Sequence, residues 1–394
     1  MYEKFLLCSK CDTKYKLKEL VFRCRECGGS LEVIYDYTKL KKIISLKILQ
    51  KRPFNHARYK EFFPVKNLVS IQEGGTPLIR SHNIEKEFGL KFELYFKNEA
   101  VNPTGSFKDR GSTVELAKAI EFGKKHVACA STGNMGASVA AYSGIARKKC
   151  RVIVPKDAAH VKIEQILGYG ADVYQINGDY NDAADLVEYA FRKHGAYLLG
   201  DYLYRREGTK SVGFELAEQI NADYVVCPVG NGTLISAVWK AYKEFKELGF
   251  IESTPKIVAI QAEKCNPVTK AFRSGEAIIP VSGKTIAVAM ECGNPLDGDR
   301  ALKAVHESTG YADHVSDKEI LNSRNTLAKT EGLFAEPAGA ASLAGILAGK
   351  TKIKRGSKVV CLVTGHGLKT PKTGTRGVLK PIGMTRKSVD ALFS

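Results

Sequence analysis

The chain has 394 residues, 60 of them Lys or Arg against 42 Asp or Glu, for a formal charge of +18. At 44% hydrophobic and 26% charged residues it carries the material for packed cores in two or three ordinary domains, which excludes a disordered chain. No apolar run reaches the roughly 20 residues of a membrane helix, and the best candidate, residues 333–349, contains Glu336 and Pro337. The opening MYEKFLLCSKCD lacks the apolar stretch and cleavage site of a secretory signal, so the expectation is a soluble, cytoplasmic protein.

Four of the ten cysteines fall within the first 27 residues, as Cys8-Ser-Lys-Cys11 and Cys24-Arg-Glu-Cys27. Each Cys-x-x-Cys pair can wrap one edge of a tetrahedral ion, and thiolates favour zinc. The spacing therefore predicts a structural zinc ribbon over residues 1–36, with Cys8, Cys11, Cys24 and Cys27 as ligands. The intervening DTKYKLKELVFR is expected to form a short hairpin, and Gly28-Gly29 to turn the chain after the second pair. The other six cysteines stand singly, several in apolar runs such as HVACA and VVCLV, and read as small core residues. Ribbons of this kind occur on nucleic-acid binders and on enzymes alike. A basic balance suits a nucleic acid or a small phosphorylated ligand. Here the positive charge is spread along the chain without a long basic tract, which is the pattern of a solvated surface.

After the ribbon, LEVIYDY reads as a strand and residues 39–66 as a basic connecting stretch with little periodicity. From about residue 92, short β-branched runs alternate with helical patterns. FELYFKNE, HVACA, RVIVP, DVYQI, YVVCPV, KIVAIQ and KVVCLVTG are the strands. SFKDRGSTVELAKAIEFGKK, MGASVAAYSGIARKK, VKIEQILGYGA and LISAVWKAYKEFKEL are helices. That alternation predicts parallel sheet covered on both faces. The turns STGN, GNGT and TGHG each follow a β-like run, where ligands gather in open α/β sheets. None is a Walker lysine loop or a dinucleotide fingerprint, which argues against an NTPase or a dehydrogenase. Residues 371–394, rich in Lys, Thr and Gly, read as a loosely attached tail.

In Asn102-Pro-Thr-Gly-Ser-Phe-Lys-Asp-Arg-Gly111, Pro103 and Gly105 force a turn, and Ser106 with Asp109 forms an N-terminal capping pattern. Lys108 then lies in the first turn of a helix, whose positive end disfavours an ammonium and so favours a nucleophilic amine. His366, flanked by glycines, suits turn-holding better than proton transfer, and Glu336 before Pro337 suits a helix start.

This decapeptide resembles the cofactor-lysine motif of threonine synthases, pyridoxal-phosphate (PLP) enzymes of the tryptophan-synthase-β type. Gly74-Gly-Thr-Pro-Leu78, Ser131-Thr-Gly-Asn134, Pro228-Val-Gly-Asn-Gly-Thr233, Glu331-Gly-Leu-Phe-Ala-Glu-Pro337 and Thr364-Gly-His-Gly-Leu-Lys369 follow in that family's order. The resemblance implies that Lys108 carries PLP as a Schiff base and that Asn134 bonds the ring's 3′ oxygen. It also implies that Gly230, Asn231, Gly232, Thr233 and Leu234 wrap the cofactor phosphate, and that Thr364 faces the ring nitrogen. A glycine-rich turn ahead of a helix independently suits an anion.

Ser131, Thr132 and Arg205 are expected to hold the phosphate of a small phosphorylated amino acid. The implied reaction is γ-elimination of phosphate from O-phospho-L-homoserine followed by water addition, giving L-threonine. The chain departs from the family at Met135, where threonine usually follows STGN. It departs again at Leu199-Gly200, where an Asn-Ser pair commonly precedes the arginine of R-x-E-G-x-K-[TS], here Arg205 to Ser211.

The fold implied is α/β: two three-layer αβα lobes with mainly parallel sheets around a PLP cleft, preceded by the ribbon. Residues 37–100 would begin the large lobe, 101–204 form the small mobile lobe and 205–370 complete the large one. The family also implies a homodimer with no membrane or nucleic-acid partner. The alternatives are another enzyme of this PLP type, a serine/threonine dehydratase or β-replacement synthase, and a zinc-ribbon nucleic-acid binder.

Overall fold

The computed structural model describes residues 2–370 apart from 132, 157, 159 and 179, so the expected C-terminal tail lies outside the described residues. At the N-terminus β1 (Glu3–Cys8) is flanked by β2 (Lys14–Tyr15) and β3 (Leu31–Tyr35), both antiparallel to it. In β3 Leu31, Val33 and Tyr35 are buried on one face, the alternation a half-buried strand requires. The stretch expected to be irregular contains two short helices, α1 (Tyr37–Ile43) and α2 (Leu46–Gln50). Asp36 caps the first by accepting from Lys39 N–H, and Ser45 caps the second by accepting from Ile48 N–H. Helices this short leave no periodic signature, which is why pattern reading passes over them.

Two parallel sheets follow. The chain first lays down β4 (Leu78–Arg80), α3 (His82–Glu87) and β5 (Glu93–Asn98), then enters the smaller lobe through α4 (Lys108–Glu121). That lobe comprises β6 (His126–Ala130), α5 (Asn134–Ile145), β7 (Lys149–Pro155), α6 (His160–Gly168), β8 (Asp172–Ile176), α7 (Tyr180–His194) and β9 (Tyr197–Leu198). Its strands run in the order β8-β7-β6-β9, all parallel. The chain returns through α8 (Leu203–Thr209) and α9 (Ser211–Gln219) to β10 (Tyr224–Pro228), α10 (Thr233–Glu247), β11 (Lys256–Ala262), α11 (Pro267–Ser274), α12 (Gly298–Glu307) and β12 (Tyr311–Val315). It closes with α13 (Asp317–Glu331), α14 (Pro337–Leu347) and β13 (Lys358–Val363).

The large sheet has the order β12-β11-β10-β13-β5-β4, antiparallel only at its β4 edge. Every residue of β10 is buried, and five of the six in β13, because helices cover both faces of these central strands. The apolar run once weighed as a membrane candidate is α14, buried within the large lobe, and no described helix is long and apolar enough to cross a membrane.

Ion pairs buried between elements fasten the lobes. Arg110 of α4 donates at 2.6 Å to both Glu99 and Glu215, and Lys97 of β5 reaches Glu215 at 2.6 Å. Another set docks the ribbon: Arg206 grips Asp297 at 2.7 and 2.8 Å and also bonds the Leu31 carbonyl. Ser30 Oγ donates to the same Asp297 at 2.7 Å, and Lys240 Nζ to the Val33 carbonyl at 2.8 Å. The ribbon is thus packed into the large lobe.

Candidate active site

A cleft opens at the carboxyl ends of β10 and β13, in the middle of the large sheet, where the amino ends of α4, α5 and α10 converge. Phe107, Lys108, Asn134, Thr364, Glu336 and residues 230–235 line it. Lys108 is the first residue of α4, as expected, but the cap differs from the expected one. Asp109 turns back to accept from the amide and hydroxyl of Thr104, at 2.8 and 2.6 Å, and Ser106 Oγ is left buried without a partner. Burial raises the Asp109 carboxyl to about 6.

Gly232 ends the turn after β10 at φ +88°, and a side chain there would meet the Asp297 carbonyl at 2.6 Å. A side chain on Gly230 would meet the Ala289 carbonyl at 2.8 Å. Only glycine fits both places, so the backbone lies open as a cradle before α10, whose first amides have no partner within the helix. The positive end of that 15-residue helix favours an anion there. Thr364, at the end of β13, is buried and accepts the Phe107 amide on its carbonyl at 3.2 Å.

Asn134 starts α5 and donates its amide to Glu336, while its Oδ1 is buried without a partner. Glu336 in turn faces Lys162 of α6, with Nζ 3.7 Å from Oε2, and Lys162 is only 4% exposed. Ser131 Oγ accepts the amides of Gly133 at 3.3 Å and Gly136 at 2.9 Å, which leaves its own hydrogen to donate. Thr132 lies outside the described residues. His366 accepts the Leu368 amide on Nδ1 at 3.2 Å and so holds a turn, the role its glycine neighbours suggested.

Arg205 departs from the expectation. It is 1% exposed and its guanidinium bonds Glu115, Ser112 Oγ at 3.3 Å, and the carbonyls of Gly200 at 3.2 Å and Lys108 at 3.1 Å. Most of its donors are thus committed within the protein, and it is not among the residues that line the cleft. The reason is Glu115 on the neighbouring helix α4, which pairs with its charge. Leu199-Gly200 and Met135 are buried with it.

Sequence reasoning missed Asp201. It follows β9, is 5% exposed, and lies 3.2 Å from Lys108 Nζ on one oxygen and 2.8 Å from Asn231 Nδ2 on the other. Burial pushes its carboxyl up, but the charges of Lys108 and Arg205 outweigh that and hold it below its ordinary value. A strand end is where such a residue belongs, yet a two-residue strand gives no pattern to reveal it.

The four N-terminal cysteines also meet. Their sulfurs lie within 4.8 Å of one another, with Cys8–Cys27 and Cys11–Cys24 at 3.5 Å and Cys11–Cys27 at 3.3 Å. A tetrahedron of sulfurs about 2.3 Å from zinc has edges of about 3.8 Å, close to these distances. Tyr15 Oη touches Cys24 Sγ at 3.2 Å and accepts the Arg25 amide at 2.8 Å, holding the second pair in place.

A lysine at a helix start thus shares one cleft with a glycine cradle in the middle of a parallel sheet. Residues 69–365 match the family described as "Pyridoxal-phosphate dependent enzyme". Solved structures agree on the fold: a PLP-dependent aspartate racemase superposes with a TM-score of 0.68 at 22% identity, over 84% of this chain and 98% of its own. Threonine synthase of Methanocaldococcus jannaschii is 46% identical, covering 95% of both chains, and that of Methanosarcina acetivorans 43% identical, covering 93% of both. The chain belongs to the threonine synthase family and is a PLP-dependent lyase.

Proposed function

We propose that the cleft holds PLP on Lys108, with the cofactor phosphate on Gly230, Asn231, Gly232, Thr233 and Leu234, and that the substrate is O-phospho-L-homoserine. The observation that carries this is the convergence of Lys108 and the glycine cradle in one cleft. The buried, unpartnered Asn134 Oδ1 and Ser106 Oγ fit a polar occupant. When bound, PLP supplies an electron sink that makes protons on the substrate's α and β carbons removable. Lys108 holds and moves those protons through its amine. Asn134 offers the second hydrogen of its amide to the ring's 3′ oxygen. Thr364 presents a neutral hydroxyl to the ring nitrogen and leaves it less electron-withdrawing than a carboxylate partner would. Ser131 donates its free hydroxyl hydrogen to the substrate, and Lys162, beside Gly133, supplies the positive charge that Arg205 does not. Ala289, Met290 and Ala338 give the cleft an apolar wall that excludes water until substrate enters.

Incubation with O-phospho-L-homoserine should release threonine and phosphate in equal amounts. Formation of 2-oxobutyrate from threonine at a higher rate would instead make the chain a dehydratase.

The reading extends to the ribbon, where four thiolates close a tetrahedral site and leave no position open for water, which is the form of a structural zinc. Metal analysis is expected to find about one zinc per chain, and Cys8→Ser/Cys24→Ser to lose it. Unchanged zinc in that double variant would refute the assignment. The same reading has the chain working as a cytoplasmic homodimer without nucleic acid.

A further inference from the structure

Asp201 bridges the two lobes at the reacting amine. It sits on the turn between β9 of the small lobe and α8, and its two oxygens reach Lys108 Nζ at 3.2 Å and Asn231 of the phosphate cradle at 2.8 Å. Arg205 braces that turn. Its Nε donates to the Gly200 carbonyl at 3.2 Å while Nη1 donates to the Lys108 carbonyl at 3.1 Å. Glu115 completes the brace by accepting the Gly200 amide at 3.0 Å. One buried guanidinium thus fixes the peptide of Lys108 and the peptide before Asp201 relative to each other. The distance between amine and carboxylate is built in.

An anion in contact with a nitrogen favours its protonated form by roughly 1–3 pH units. The other ionisable groups around the pair are Arg205 on α8, Tyr202 just before that helix, Glu115 on α4, Cys129 on β6 and Cys292 on the loop before α12, and burial raises the Tyr202 phenol to about 12. Glu115 and Arg205 are committed to each other, and burial holds both thiols protonated, raising Cys292 to about 12. Among the described residues Asp201 is the carboxylate paired with Lys108.

We propose that Asp201 is a positioning residue for the reaction, holding the Lys108 nitrogen between small lobe and phosphate cradle and favouring the protonated form of the imine that this nitrogen makes with the cofactor aldehyde. The proposal rests on the reading of Lys108 as the cofactor lysine. A nitrogen kept in place in this way stays aligned for proton transfer with the substrate, and the link to Asn231 ties that alignment to the cradle.

The test uses the holoenzyme and its Asp201→Asn variant, first mapped by borohydride reduction and peptide analysis. A label elsewhere than Lys108 defeats the cofactor assignment itself. With the label on Lys108, the visible band of the protonated imine is followed against pH. Asp201→Asn should lose that band about 1–3 pH units below wild type, with kcat reduced more than KM. Asp201→Glu, which restores the charge, should recover part of the shift. Asp201→Ser replaces the asparagine variant should that one fail to fold. A purely structural role would lower the thermal midpoint and leave the titration unchanged. A variant that keeps the protonated band to the same pH as wild type overturns the proposal.

Discussion

Alanine at position 108 is expected to abolish threonine formation, with turnover reduced roughly 1,000-fold or more, because no other group in the cleft can both carry the cofactor and move its protons. The variant should lack the visible band and take no borohydride label. Its fold should persist at some cost in stability, since the Lys108 side chain is 16% exposed and lies over the Phe107 ring, while Asp201 loses its ammonium partner but keeps Asn231. Circular dichroism and thermal melting check the fold, and phosphate release checks the chemistry. Retained turnover, or label on a different lysine, would move the reaction away from this cleft.

Arg205→Ala has a large expected effect of a different kind. Removing the guanidinium leaves Glu115 buried and unpaired, a loss on the order of 3–5 kcal/mol in stability, measurable by urea unfolding of the holoenzyme. Burial already pushes the Glu115 carboxyl up to about 7, against the pull of Arg205. Without Arg205 it rises further. The folded state then keeps a proton that the unfolded chain releases above about pH 4.5, so stability falls as pH rises through the folded value. Because wild-type Glu115 also keeps its proton up to about pH 7, the deficit of Arg205→Ala should be flat below that value and grow above it. An arm on the substrate phosphate would behave otherwise, raising KM with little change in the urea midpoint. That pattern, if found, restores the role the sequence suggested.

The contrast between Lys108 and Arg205 shows where sequence is informative. Asn134, the 230–234 turn and Thr364 lie at ends of strands whose apolar runs, HVACA, YVVCP and KVVCLV, announce a buried parallel sheet, and Lys108 opens the helix after a Pro-Gly turn. Their placement follows from local pattern. Arg205 sits in an equally plain motif, but its fate depends on Glu115, 90 residues earlier, and no local pattern reports which cation a buried carboxylate will claim. Asp201 was hidden because β9 is two residues long, too short for alternation to register. The Ser106–Asp109 pattern suggested a cap, yet Thr104 lies nearer the carboxylate in the folded turn and takes it.

Asp297 has a consequence for the order in which the protein is made. Its carboxylate takes Ser30 of the ribbon, 267 residues earlier, and the Thr233 hydroxyl at 3.2 Å, while its amide donates to the Asn231 carbonyl at 2.9 Å. At about 5–20 residues per second of synthesis, a nascent ribbon meets Arg206 and Lys240 first and waits some tens of seconds in all for Asp297. Docking of the ribbon and closure of the phosphate cradle share one carboxylate, so they are completed together. A chain released before residue 297 finishes neither.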